Sequence, residues 1–330
     1  ESLEAARAAR HNGGKVLVAV ADVVEHVPDE VSIPADQVDA IVVNPRNEQT
    51  GGVPQRRYWS FLTTDSQEDA VDGIQRLRFA NDVLGYTPTR GAAEQAVARL
   101  GATLFAENVP RGSTVNLGVC YGEELVRVLT EQGLHEDVVF TSETGVYGGV
   151  PAPGIYFGAA VNPLRLESSA WMFRHYQDHL AATILGFLEV DSEGNVNGAV
   201  RGERMVDLVG PGGMPSIIEA ARTIIFIGGW MSRARWRVRG GRMTLAKAGK
   251  AKFVDRVRSI TFSARAALDR GKHVWYVTHV GVFRLTRDGL LLQQLMPGID
   301  IERDVLAHSG ARINLPDEPV KVVPAPVLTG

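Results

Sequence analysis

Residues 136–163 read EDVVFTSETGVYGGVPAPGIYFGAAVNP, and the strand that opens this stretch fixes the fold class. Val138, Val139 and Phe140 form a short apolar run bounded by turn residues, the pattern of a buried strand. It empties into Thr141, Ser142, Glu143, Thr144 and Gly145, which puts one carboxylate just past the strand's carboxyl end. Open α/β sheets bind their ligands at that edge. Gly148, Gly149, Pro151, Pro153, Gly154 and Gly158 follow, a loop where backbone can approach a ligand with no Cβ in the way. A single carboxylate before a glycine-rich wall points to covalent catalysis by Glu143. A solvated glutamate in an ordinary turn fits the same local pattern.

The flanks alternate helix and strand. Ala96, Val97, Leu100, Leu104 and Phe105 recur at helical spacing over 91–107, residues 114–119 (TVNLGV) read as a strand, and Leu125, Val128 and Leu129 share one face of a helix over 121–132. Downstream, 170–180 reads as a helix, 184–190 as a strand, 191–194 as a turn, and 217–227 as a helix and strand. From 253 onward strand-like blocks alternate with turns. This predicts an α/β fold, an open α/β sheet with a β-rich carboxyl-terminal portion. Upstream, 2–11 is a short helix stopped by Asn12, Gly13 and Gly14, and KVLVAVADVV at 15–24 reads as a buried strand. A second apolar run at 38–43 ends at Asn44-Pro45. One helix and two strands are too little for a domain, so 1–45 reads as the closing segment of one. The polar stretch 46–88 reads as an interdomain linker, and 89–330 as a second domain.

Bulk properties exclude several classes. Apolar residues make up 45% and charged residues 22%, ordinary for a globular protein, and the formal charge of −3 gives no general pull toward nucleic acid or anionic membrane. No apolar run approaches the roughly 20 residues that span a bilayer, and no signal-peptide pattern opens the chain. Cys120 is the one cysteine, so no internal disulfide forms, which fits a cytoplasmic location. Neither G-x-x-x-x-G-K-[ST] nor G-x-G-x-x-G occurs, so neither ATP nor NAD is indicated.

Three further features carry competing readings. Cys120 sits at a strand-to-helix junction where a thiolate would be favoured, against a role as a small packed residue. His175 and His179, four apart, share a helical face, but no third ligand is evident and no metal is assigned. Residues 233–252 hold eight basic residues and no acid, with Arg233, Arg235, Arg237 and Arg239 alternating with Ala234, Trp236 and Val238. That alternation, followed by Gly240-Gly241, predicts a hairpin with one solvated basic face. An attraction for an acidic substrate ranks next and nucleic acid last.

The central stretch resembles the active-site segment of the family I coenzyme A transferases, particularly their fused single-chain members acting on short acyl groups. The resemblance rests on Glu143-Thr144-Gly145, Gly148-Gly149-Val150-Pro151, Phe157-Gly158 and Asn162-Pro163. It extends to Val115-Asn116-Leu117-Gly118, to Phe187 and the EVDSEGNVN of 189–197, and to the blocks at 260–263, 276–285 and 297–306. Asn12-Gly13-Gly14 and the VDAIVV of 38–43 are similar to the end of the family's first half. Two departures stand out: Cys120 replaces a glycine, and a glycine-rich turn after the Met-Phe pair is absent beyond Met172-Phe173.

The resemblance implies an open α/β sheet of the CoA-transferase, ribose-5-phosphate isomerase-like type. It implies that Glu143 carries acyl-glutamyl anhydride and glutamyl-CoA thioester intermediates, with coenzyme A a substrate rather than a resident cofactor. The backbone of Gly148 and Gly149 is the expected oxyanion and CoA-binding element, and Asn116, Gly118 and Asn162 are expected to line the substrate pocket. The substrates are then an acyl-CoA and a carboxylic acid. A first half is expected from another chain or as a segment missing from this one, and the assembly as a homo- or hetero-oligomer. Two rivals stay open: an acyl-CoA hydrolase or ring-opening enzyme on the same scaffold, and a non-catalytic partner subunit.

Overall fold

The computed structural model describes residues 2–20, 22–23, 25, 33–46, 59–64, 66–85, 90–119 and 121–329, without the side chains of Leu84 and Ile155. Its frame is a mixed sheet of 11 strands among the described residues. In chain order these begin with β1 (Thr114–Leu117), β2 (Val139–Thr141), β3 (Val146–Tyr147) and β4 (Arg165–Leu166). They continue with β5 (Leu180–Leu185), β6 (Thr223–Ile227), β7 (His273–Val277), β8 (Gly281–Thr286) and β9 (Gly289–Leu295). The short β10 (Ile313–Asn314) and β11 (Lys321–Val322) both pair with β9. Across the sheet the order is β10-β9-β8-β7-β6-β5-β1-β2-β3-β4.

The five central strands, β2-β1-β5-β6-β7, are parallel. The chain steps from β1 out to β2 and then returns to β5 on the other side of β1. That reversal is a topological switch point, and it leaves a crevice beyond the carboxyl ends of β1 and β5. Every residue of β1 and β6 is buried, without the alternation of a half-exposed sheet. Helices cover both faces, as a parallel sheet requires. In chain order the first six α-helices are α1 (Ser2–His11), α2 (Ala70–Leu84), α3 (Ala92–Asn108), α4 (Tyr121–Glu131), α5 (Ser169–His179) and α6 (Met214–Ala220). Phe105 of α3 stacks on Phe140 at 6.2 Å, while Tyr176 of α5 donates to Thr141 at 3.0 Å. Neighbours on a strand point to opposite faces, so α3 and α5 lie on opposite sides of the sheet. Beyond β7 the sheet turns antiparallel, and its core centres on Trp230, packed against Phe253 and Phe283 at 4.3 and 5.4 Å.

The strand expected to be buried at 15–24 differs from expectation. Leu17–Val20 and Ala40–Val43 do form strands and pair in parallel, but Leu17 is 70% exposed and all four residues of the second strand are exposed. β-branched runs specify extended backbone; burial needs a covering layer, which these two strands lack among the described residues. Ala21 and Val24, part of the same apolar run, lie outside the described residues, as does Cys120 with both of its readings.

Where polarity predicted a linker over 46–88, the structure holds a 15-residue helix, α2. Asp69 caps it by accepting from Asp72 N–H at 3.0 Å, and Gly85 ends it in the left-handed region. Ile74 and Leu77 are buried, and the Glu68 carbonyl accepts from Asn162 Nδ2 at 2.6 Å. Residues 47–58, 65 and 86–88 of that stretch lie outside the described residues. Leu77→Ala should lower stability by roughly 2–5 kcal/mol in a urea melt, the range for an emptied core site; a draped linker would register nothing. A second difference lies after α5: the strand expected at 184–190 begins at Leu180, with no loop after the helix, and ends at Leu185.

Candidate active site

Glu143 sits on a tight turn beyond β2. Gly145 N–H donates to the Ser142 carbonyl at 3.1 Å and Ser142 N–H to the Val146 carbonyl at 3.0 Å, so the turn hands the chain directly into β3. Gly145 has φ 123°, and a Cβ there would fall on the Glu167 carbonyl oxygen. Glu167 N–H in turn donates to the Gly145 carbonyl at 2.8 Å. The segment after β4 therefore clamps the turn that carries the carboxylate.

Beneath Glu143 lies a buried polar network. Asn116, fully buried on β1, donates from Nδ2 to Glu143 Oε2 at 3.2 Å and to the Tyr176 phenol oxygen at 3.1 Å. Its Oδ1 accepts from the Thr183 hydroxyl at 3.0 Å. Tyr176 donates onward to Thr141 Oγ1, and Thr141 donates to the Val115 carbonyl at 2.9 Å. Burial pushes the Tyr176 phenol up to about 12, so it stays a neutral donor. Three adjacent strands and one helix thus converge on one carboxylate. Its other oxygen, Oε1, has no hydrogen-bond partner among the described residues.

Glu143 opens into a cleft of about 360 Å³ at the switch point. Gly118 and Val119 follow β1, Phe187 and Leu188 follow β5, and the loop at Val209, Gly210 and Gly212 forms the far wall. Gly210 and Gly212 have positive φ, and open space lies where their Cβ atoms would be, so a ligand can touch their backbone. A polar cleft of about 670 Å³ adjoins it, sharing Leu188 and Arg201 and carrying Arg233 and Lys250. Arg201, Arg233 and Lys250 are exposed, and Lys252, also on this cleft, is half-buried.

Of the residues singled out in the sequence, Glu143, Asn116 and Gly118 come together here. Gly148, Gly149 and Asn162 do not line this cleft. Gly148 N–H, expected to face an oxyanion, is donated to the Phe140 carbonyl at 2.8 Å. Both glycines adopt positive φ, and a Cβ there would strike the Leu164 side chain or the 161–162 backbone. Asn162 adopts φ 52° and binds the Phe61 and Glu68 backbone, so it anchors the segment before α2. Tyr176 and Thr183 were not anticipated. Their signal is faint: a hydroxyl at an otherwise apolar core position.

The other motifs fall elsewhere. His175 and His179 lie with ring centroids 4.5 Å apart, Trp171 stacks on His175 at 4.7 Å, and no cluster of three metal-ligating side chains occurs among the described residues. The basic hairpin forms as strands Arg235–Arg239 and Arg242–Lys247, with the arginines outward. Trp236 is turned inward, stacked on His279 at 5.0 Å. No helix among the described residues is long and apolar enough to cross a membrane.

No protein-family model matches the chain. It is 32% identical over 320 residues to acetate CoA-transferase YdiF of Escherichia coli O157:H7, across 93% of this chain and 55% of that protein. It is 29% identical over 316 residues to caffeate CoA-transferase of Acetobacterium woodii, across 93% and 56%. The chain thus spans just over half the length of these curated relatives. The crystal structure of acyl-CoA transferase YdiF from E. coli O157:H7, solved as a thioester complex with CoA, superposes with TM-score 0.79 at 28% identity, over 99% of this chain and 58% of that one. The decarboxylase AibA/AibB superposes with TM-score 0.52 at 17% identity, over 72% and 92%, a likeness of fold.

Proposed function

The chain is a homologue of the CoA-transferases over 93% of its length and shares the YdiF fold, and from that premise we propose that it moves CoA between carboxylic acids through covalent intermediates on Glu143. One observation carries the reading. A carboxylate at the switch point of a parallel sheet is held by a buried amide through Oε2 and lines an apolar cleft, its Oε1 without a hydrogen-bond partner among the described residues.

Glu143 Oε1 attacks the thioester carbonyl of an acyl-CoA, CoA leaves as thiolate, and an acyl-glutamyl anhydride remains. The thiolate then attacks the glutamyl carbonyl, expelling the acid and leaving a glutamyl-CoA thioester. An incoming carboxylate attacks that carbonyl, the thiolate leaves again, and its attack on the new acyl carbonyl returns Glu143. Splitting the exchange this way lowers each barrier. The clamped turn keeps the carboxylate in line, worth far more than proximity alone, and the apolar wall strips water that would hydrolyse the anhydride. CoA enters as substrate. Its thioester end suits the apolar cleft, and its phosphates suit the adjoining cleft with Arg201, Arg233 and Lys250.

The relatives' greater length and the uncovered strands Leu17–Val20 and Ala40–Val43 favour a further polypeptide segment completing the assembly. Mass spectrometry after incubation with several acyl-CoAs and borohydride tests the proposal. A reduced or CoA-bearing adduct mapped to Glu143, with exchange that depends on added carboxylate, is the expected result. An adduct that forms only after adding the first half of a relative places the site between polypeptides. CoA release that ignores the acceptor acid means hydrolysis. No adduct under any condition ends the transferase reading.

A further inference from the structure

Tyr176 lines neither cleft. It is 1% exposed, its ring lies edge-on to Phe173 at 6.1 Å, and its phenol oxygen is spent on two neighbours, Asn116 and Thr141. The directions of these bonds matter more than their number. An asparagine amide can flip, exchanging its donor and acceptor ends. Here the Thr183 hydroxyl donates to Oδ1 and the Tyr176 oxygen accepts one N–H of Nδ2. Both demands hold only in one orientation, and in it the second N–H of Nδ2 is aimed at Glu143. The tyrosine acts as an acceptor toward Asn116 because its own proton is committed to Thr141, which in turn gives its proton to the Val115 carbonyl. The polarity of the whole relay therefore starts at a backbone carbonyl of β1 and ends at the carboxylate.

We infer that Tyr176, with Thr183, is a positioning residue that locks the Asn116 amide in the one orientation that donates to Glu143. The inference rests on the reading of Glu143 as the nucleophile for its kinetic consequence, and on the hydrogen-bond geometry alone for its structural one. Without the phenol oxygen, one N–H of a fully buried amide loses its partner, and the amide gains a reason to turn or tilt. The carboxylate then samples orientations unsuited to attack.

The test is a cycle of Tyr176→Phe and Asn116→Ala, singly and together. Phenylalanine keeps the packed ring and removes only the oxygen. The rate of Glu143 adduct formation from saturating acyl-CoA should fall about tenfold in Tyr176→Phe, the scale of one lost buried hydrogen bond, with KM nearly unchanged. In the Asn116→Ala background the same change should cost less than twofold, because the group it orients is gone. A merely structural role would lower Tm alike in both backgrounds and slow both equally, and equal slowing would overturn the inference. Thr183→Val should reproduce the kinetic pattern, whereas Thr183→Ser should restore the rate. A second readout is independent of turnover. In chain labelled with 15N-asparagine, the Asn116 side-chain amide signal should shift and exchange faster with solvent in Tyr176→Phe. If wild type forms no adduct, the transferase reading fails by itself; an unchanged amide signal is what would end the positioning inference.

Discussion

Glu143→Gln should reduce acyl-CoA-dependent adduct formation and CoA exchange by on the order of 10⁴-fold, since losing a covalent nucleophile removes the pathway rather than one contact. The amide is isosteric, it can still accept from Asn116 Nδ2, and the turn beneath it is held by Gly145 and Glu167. Stability should therefore change by less than about 0.5 kcal/mol, the usual scale for a partly exposed position. The pairing of lost chemistry with an unchanged melt separates a nucleophile from a structural glutamate. A variant that retains a tenth of the exchange rate would show that Glu143 is a loop residue and that the chemistry lies elsewhere.

Gly145→Ala should be the most damaging small substitution in the site. The backbone there has φ 123°, which an L side chain rarely adopts, and the new methyl group would fall on the Glu167 carbonyl oxygen. Strain and overpacking together are expected to cost roughly 2–4 kcal/mol, read as a lowered urea midpoint. Because the obstacle is backbone, relief must come from moving the turn, and Glu143 moves with it. A displacement near 1 Å costs about 10²-fold in a positioned reaction. Adduct formation should fall by that factor even well below the melting temperature. Gly85→Ala is the control: its φ is also positive, at 67°, but nothing lies within 4 Å of its Cβ site, so a small stability loss with full adduct formation is expected.

Local pattern made much of the fold legible. The helices at 2–11, 92–108 and 121–131 and the strands at 114–117 and 139–141 fall where periodicity and turn residues place them. So does the Gly240-Gly241 hairpin with its outward arginines. The failures share one cause. Exposure of Leu17, burial of Leu77 in a polar stretch, and the start of a strand at Leu180 with no turn before it each depend on what packs against the segment. Apolar character is a property of the residue; burial is a property of the neighbours.

The site divides along the same line. Sequence by itself determined that a carboxylate follows the central strand, that Asn116 and Gly118 belong to a second strand-like segment, and that the chain resembles the CoA-transferases. These are short-range facts, written in residue type and spacing. Only the tertiary structure decided which glycines face the cleft. Gly148 gives its N–H to the sheet, whereas Gly210 and Gly212, far along the chain, wall the site. It also decided that Tyr176 and Thr183, 33 and 40 residues beyond Glu143, complete the relay behind the carboxylate. Hydrogen bonds across three strands and a helix depend on register and on which face each side chain takes, and those are fixed only when the sheet closes.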